Sequence, residues 1–300
     1  MTPVAVLLAI ALAAVPRPLA PDAAETIKLE NGLGVVLAPV PAATSAALVV
    51  LSAIGEDHDP RGASGVVHLV EHLYASAGRT VEEFARLHPR GWNAQTGARY
   101  TPIAPVFAPS ELEAELKNAA SRMAGLEPAA AEVDREKGRI LAELHNMYEA
   151  VPSLALWNRA GELVRPAPSG GRKGGRLEDI AKIGRNALLD RLRRFYKPTN
   201  AVLAVAGPFR ADRIRRRIEA PFSEIPAGES APEPAEPGPP SASAPRSLRP
   251  GSSGSPFPPQ LCLAFRAPAP GSPDFAAFLV LAARLAAGAG GFRGGTLSVA

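Results

Sequence analysis

Only one cysteine, Cys262, occurs in the 300 residues. That excludes an intramolecular disulfide framework and every CxxC zinc or redox site, since each needs a second thiol. Any bound metal must be held by histidine and carboxylate. Aromatic residues are scarce at 5% and do not interleave with the basic residues as a base-stacking platform requires. Charge of one sign is lacking too: 33 basic residues stand against 29 acidic ones, a net of +4, too small and dispersed to indicate nucleic-acid binding. The densest basic cluster, Arg210, Arg213, Arg215, Arg216 and Arg217 with Arg191, Arg193 and Arg194 nearby, reads as a solvated helix face. The apolar run Val4 to Val15 is shorter than the roughly 20 residues that span a membrane and suits a signal-peptide core instead. No Lys or Arg precedes it. Residues 1–24 are therefore expected to be a signal peptide or leader, making the protein exported, periplasmic or secreted, or anchored by an uncleaved leader.

What is abundant is turn chemistry, with 27 glycines and 32 prolines, and the excess is local. Residues 226–260 are dominated by Pro, Gly, Ser and Ala, with too little apolar content to offset the entropy of ordering, which predicts a linker. Before it, alternation over Thr26 to Leu37 with Asn31-Gly32 between predicts a hairpin. The unbroken apolar runs Ala46 to Ile54 and Ala201 to Ala206 predict strands covered on both faces. Helical spacing covers 63–76, 110–126 with Ser110 as its N-cap, 130–150, and 177–196 with a break near Gly184. Beyond the linker, 261–265 reads as a strand and 275–287 as a helix. Fold class is thus α+β, an antiparallel-rich sheet covered by helices.

Chemistry concentrates in His68-Leu-Val-Glu71-His72. Histidines at i and i+4 lie on one helical face and can share one tetrahedral metal, and Glu71 stands beside them to take a proton from water. A third ligand is needed. Residues 132–145 offer Glu136 and Glu143, seven apart on one face, and His145 as a rival. Spacing alone leaves that choice open, and by spacing alone a solvated helix face is the better account of the two glutamates.

HLVEH resembles the inverted zincin motif HxxEH of the pitrilysin/insulinase metallopeptidases, the family that includes mitochondrial processing peptidase. Further segments match in order. Gly65 precedes the motif. Gly91-Trp-Asn93-Ala94-Gln-Thr96 with Tyr100-Thr101 resembles the family's G-x-N-A-x-T strand segment, and Glu136-Lys-Gly-x-x-Leu-x-Glu143 its segment with the distal ligand. Phe195-Tyr196-Lys-Pro198-Thr-Asn200-Ala-Val-Leu and Gly207 resemble the close of its first domain. The resemblance implies one zinc ion held by His68, His72 and Glu143, Glu71 as general base, Glu136 as supporting carboxylate, and Asn93, Ala94 and Thr96 at a sheet edge that pairs with an extended peptide. It implies a zinc-dependent endopeptidase that hydrolyses peptide bonds with zinc-activated water, acting on peptides or unfolded proteins.

Two departures stand out. Ala142 occupies a position where the family commonly has a first Glu. The family also follows its first domain with a second of similar fold that supplies an Arg/Tyr pair over the zinc, and Arg284 and Arg293 do not match that pair. The expected organisation is a metallopeptidase domain over 25–225, a linker over 226–260 and the start of a second peptidase-like domain over 261–300. A complementary peptidase subunit supplying the rest is one expectation. A non-catalytic partner subunit is the alternative reading.

Overall fold

The computed structural model describes residues 24–76, 79, 81–169, 172–234, 262, 264, 266–268 and 271–286. The expected leader to residue 23, the linker beyond residue 234, residues 261, 263 and 265 of the expected strand, and everything past residue 286 lie outside the described residues.

Alternation in the first described segment folds as anticipated, into the antiparallel pair β1 (Glu25–Lys28) and β2 (Gly34–Pro39). Asn31 ties their connection to a distant element, because its Nδ2 donates to the carbonyls of Phe222 and Ile225 at 2.7 and 3.0 Å. Gly32 takes φ +92° there, a left-handed conformation that glycine adopts without steric cost. The remaining strands are β3 (Ala46–Ser52), β4 (Trp92–Ala94), β5 (Thr101–Phe107) and β6 (Ala201–Gly207). One six-stranded sheet results, in the order β1-β2-β6-β3-β5-β4. Four of its pairings are antiparallel and β2–β6 is parallel.

β3 and β6 do not have both faces covered, as their apolar runs had suggested. Residues alternate between buried and half-buried along each, so Leu48, Val50, Leu203 and Val205 enter the core while Val49 and Val202 lie on the more open face. β5 carries Pro102 and Pro105, which cannot donate to a ladder. It nevertheless runs between β3 and β4, with Pro102 on the half-buried face and Pro105 on the buried one.

The helices are α1 (Val66–Ser76), α2 (Val81–Leu87), α3 (Leu112–Ala124), α4 (Ala130–His145), α5 (Pro152–Val164), α6 (Leu177–Lys182), α7 (Arg185–Phe195), α8 (Ala211–Phe222) and α9 (Phe275–Ala286). α1 is buried along almost its whole length, as an interior helix of mixed apolar sequence must be. Its first amides find a partner in Asp59, whose carboxylate accepts from Gly65 N at 2.6 Å and Val67 N at 3.0 Å. Ser110 does not cap α3. It lies in the short turn Pro109–Glu111, and Glu111 instead accepts from the Ala108 amide at 2.7 Å.

α4 buries Val133, Glu136, Ile140 and Leu144, a stripe at helical spacing with one carboxylate set among aliphatics. A wider-wound turn, Asn146–Ala150, links it to α5. α8 buries Ile214, Ile218 and Phe222 and leaves Arg213, Arg215, Arg216 and Arg217 exposed, the solvated face expected of that cluster. Residues 226–231 remain tied to the domain, through Thr199 N to Ala227 O, Glu229 N to Arg194 O, and Ala231 N to Asn200 Oδ1. No helix among the described residues is long and apolar enough to cross a membrane.

Candidate metal centre

The i, i+4 spacing on α1 sets the His68 and His72 rings edge to face, with centroids 4.8 Å apart. α4 packs alongside and brings Glu143 opposite both. Glu143 Oε2 lies 3.6 Å from His68 Nε2 and 3.5 Å from His72 Nε2. The three ligating atoms fall within 4.8 Å of one another. A tetrahedral ion with bonds of about 2.0–2.2 Å sets its donors roughly 3.3–3.6 Å apart, the separation Glu143 keeps from each imidazole.

Each imidazole is oriented from behind. His68 Nδ1 donates to the Gly174 carbonyl at 2.9 Å, and a carbonyl can only accept. His72 Nδ1 faces Glu136 Oε2 at 3.4 Å. Both Nδ1 atoms are thereby engaged, and the two Nε2 atoms turn to the shared space as metal donors do. Glu136 is fully buried and also takes Arg135 Nε at 3.3 Å and Arg139 Nε at 3.9 Å.

The imidazoles and carboxylates of the group balance one another's charge. The imidazoles of His68 and His72 hold the Glu143 carboxyl far below the usual carboxylate range. Burial opposes protonation of His72, but Glu136 and Glu143 together carry its pKa up to about 9. His68 is also raised: burial again works against the charged ring, and the contact with Glu143 outweighs it. Glu136 is lowered, because His72 and Arg139 overcome the burial that would raise it. Two imidazoles asking for positive charge beside two ionised carboxylates form the electrostatic setting of a cation site.

Glu71 projects into the same space. Burial pushes its carboxyl upward, and Thr96 Oγ1 donates to its Oε2 at 3.2 Å. A cavity of about 240 Å³ opens over the group, lined by His68, Glu71, His72 and Glu143 together with Ala75, Ser76, Phe84, Trp92 and Ala94. Of the residues expected at the peptide-binding edge, Asn93 is exposed on β4, Ala94 lines the cavity, and Thr96 is buried against Glu71. β4 is the last strand of the sheet. His145 lies apart from the group, exposed and paired with Glu149 at 2.9 Å.

Sequence reasoning missed Gly174, Phe84 and Trp92. Gly174 stands 106 positions from His68, and the Gly174-Gly175 pair was its only signal. Close packing explains the pair. A Cβ at Gly175 would lie 2.5 Å from Gly65 Cα, and one at Gly174 2.8 Å from Leu144 Cδ2.

Comparison with known proteins points the same way. Residues 182–293 match the family model described as the peptidase M16 inactive domain. An uncharacterized zinc protease of Rickettsia bellii is 24% identical over 212 residues, covering 67% of this chain and 50% of that protein. Protease 3 of Escherichia coli is 26% identical over 187 residues, 58% of this chain and 19% of the relative. The chain thus spans half or less of the length of these curated relatives. A protease from Helicobacter pylori shares the fold at TM-score 0.63 and 22% identity, covering 71% of this chain and 53% of that one. The periplasmic protease PqqL of E. coli does so at TM-score 0.63 and 21% identity, covering 73% and 26%. The helix-borne His/His/Glu group, the sheet behind it and these likenesses identify the chain as a relative of the M16 (pitrilysin/insulinase) family of peptidases.

Proposed function

We propose that the protein is a zinc-dependent endopeptidase acting on extended peptides or unfolded segments. The observation that carries this reading is the convergence of His68 Nε2, His72 Nε2 and Glu143 Oε2 on one point of a cavity that also holds Glu71. One zinc ion per chain would be held by those three residues, and when bound it would supply Lewis-acid polarisation of the scissile carbonyl and a lowered pKa for water. Glu71 takes the proton of the attacking water and returns it to the leaving amine. Thr96 keeps the Glu71 carboxylate aimed into the cavity, and Glu136 holds the His72 ring with Nε2 inward.

β4 is assigned as the substrate platform. Its outer edge, unpaired among the described residues, carries Asn93 and Ala94 and offers backbone donors and acceptors to an incoming strand, a mode that gives affinity without demanding one sequence. Phe84, Trp92 and Ala75 make one wall of the cavity apolar, suited to a substrate side chain. The domain assignment is 25–225 for the peptidase domain, 226–260 for the linker and 261–300 for a segment of a second peptidase-like domain. The periplasmic relative PqqL supports an exported location.

A second reading, a non-catalytic partner subunit, is favoured by the match of residues 182–293 to an inactive-domain model. Glu71→Gln separates the two. On the endopeptidase reading the variant keeps its zinc and loses cleavage of a quenched peptide library that the wild type cleaves. Cleavage surviving in Glu71→Gln would assign the base elsewhere, and a wild type that binds zinc but cleaves nothing alone or with a complementary half would favour the partner reading.

A further inference from the structure

His68 depends on the carbonyl of a glycine. Gly174 sits at φ +81°, and glycine's permissive dihedrals leave the direction of its C=O to whatever holds the residue from outside. Tyr148 Oη donates to the neighbouring Lys173 carbonyl at 3.1 Å, and Gly175 packs on Gly65. The Gly175 amide, which shares a peptide plane with the Gly174 carbonyl, donates to the Arg172 carbonyl at 2.8 Å. On the amide side, Gly174 N donates to Glu56 Oε1 at 2.8 Å. Glu56 opens the short turn Glu56–His58 that follows β3, outside every motif assigned above. A run of hydrogen bonds therefore leads from Glu56 through Gly174 to His68 Nδ1, whose ring then presents Nε2 beside Glu143.

We propose that Glu56 is a positioning residue for the metal site: by accepting from the Gly174 amide it holds the peptide unit before Gly174, and with the Gly175–Arg172 hydrogen bond on the unit after it fixes the Gly174 carbonyl, and through it the tautomer and rotation of the His68 ring. This rests on the zinc reading of His68, His72 and Glu143. Outer hydrogen bonds of this kind typically change metal affinity 10–100-fold when removed. What matters is an oxygen at the right reach, not charge. A glutamine at position 56 keeps the acceptor, whereas an aspartate keeps the charge but is one methylene too short.

The test is zinc affinity, measured by competition with a chromophoric chelator, for the wild type, Glu56→Gln, Glu56→Asp and Glu56→Ala. Each metal-stripped protein is first shown to be folded at the assay temperature. Expected are a Glu56→Gln affinity within about threefold of wild type and a loss of about tenfold or more in Glu56→Asp and Glu56→Ala. In ¹⁵N spectra of the metal-free protein, the His68 Nδ1–H tautomer should persist in Glu56→Gln and be depleted in Glu56→Asp. Equal zinc affinity in Glu56→Asp and wild type would overturn the proposal, as would a Glu56→Gln loss as large as that of Glu56→Asp. A wild type that takes up no zinc would remove the metal reading itself, a failure distinct from any pattern among the variants.

Discussion

Glu136, wholly enclosed on the buried stripe of α4, stands 3.4 Å from His72 Nδ1. A carboxylate without solvent is costly unless its partners supply donors, and Arg135 and Arg139 supply the others. Its place in an aliphatic stripe is explained by what it does to His72. Glu136→Ala should weaken zinc binding about 10–100-fold with all three ligands intact, and Glu136→Gln, which still offers an oxygen, should weaken it less. Chelator competition reads both. Wild-type affinity in Glu136→Ala would leave Glu136 with no part in the site.

Thr96 reaches Glu71 from the segment that follows β4. Thr96→Val keeps the shape and removes the donor, so the carboxylate loses its orientation. The expected result is a fall in kcat of about tenfold with zinc content unchanged, since placement of a catalytic group accounts for effects of at least that size. A lower zinc content would instead mean that Thr96 supports the ligands.

Glu56 also governs a pH dependence. Burial raises its pKa from the ordinary 4.5 to about 7. A folded-state value above the unfolded one means a contribution to stability that is full below about pH 4.5 and is lost as pH rises through 7. Glu56→Gln is neutral throughout and escapes that loss. Metal-free Glu56→Gln should therefore melt close to wild type at pH 4.5 and above it at pH 8, by an amount on the order of 1–2 kcal/mol after allowance for solvent access. Thermal unfolding in chelator at the two pH values reads the difference. A gap that stays constant with pH contradicts the assignment.

Gly65 joins the metal helix to the loop behind His68. It sits at φ +93°, and a Cβ there would lie 2.8 Å from Ile180 Cγ1 and 3.0 Å from Gly174 O. Gly65→Ala should cost about 1–3 kcal/mol of stability from backbone strain alone and displace Gly174. Denaturant unfolding measures the cost, and an unchanged midpoint would show that the loop yields freely.

Much of this was legible because helical spacing is local. His68 and His72 announce a shared face from within one turn, and Glu136 and Glu143 do so within two. The basic cluster from Arg213 to Arg217 was equally readable as a solvated helix face. Strand burial was not, because an unbroken run such as Ala46 to Leu51 looks the same whether its second face is covered or half open. β5 was hidden by Pro102 and Pro105, and α5 by Pro152 at its first position after an irregular turn. Gly174 and Glu56 were invisible for another reason. Their roles depend on segments brought together by the fold, and no period within the chain records that.

The central claim is that His68, His72 and Glu143 hold zinc, and metal analysis of the purified protein tests it most directly. After equilibration with zinc and removal of the excess, the wild type should retain about one ion per chain, and a His68→Ala/His72→Ala double variant should retain none while keeping its helical content. A wild type without zinc, or a double variant that retains as much, would contradict the account.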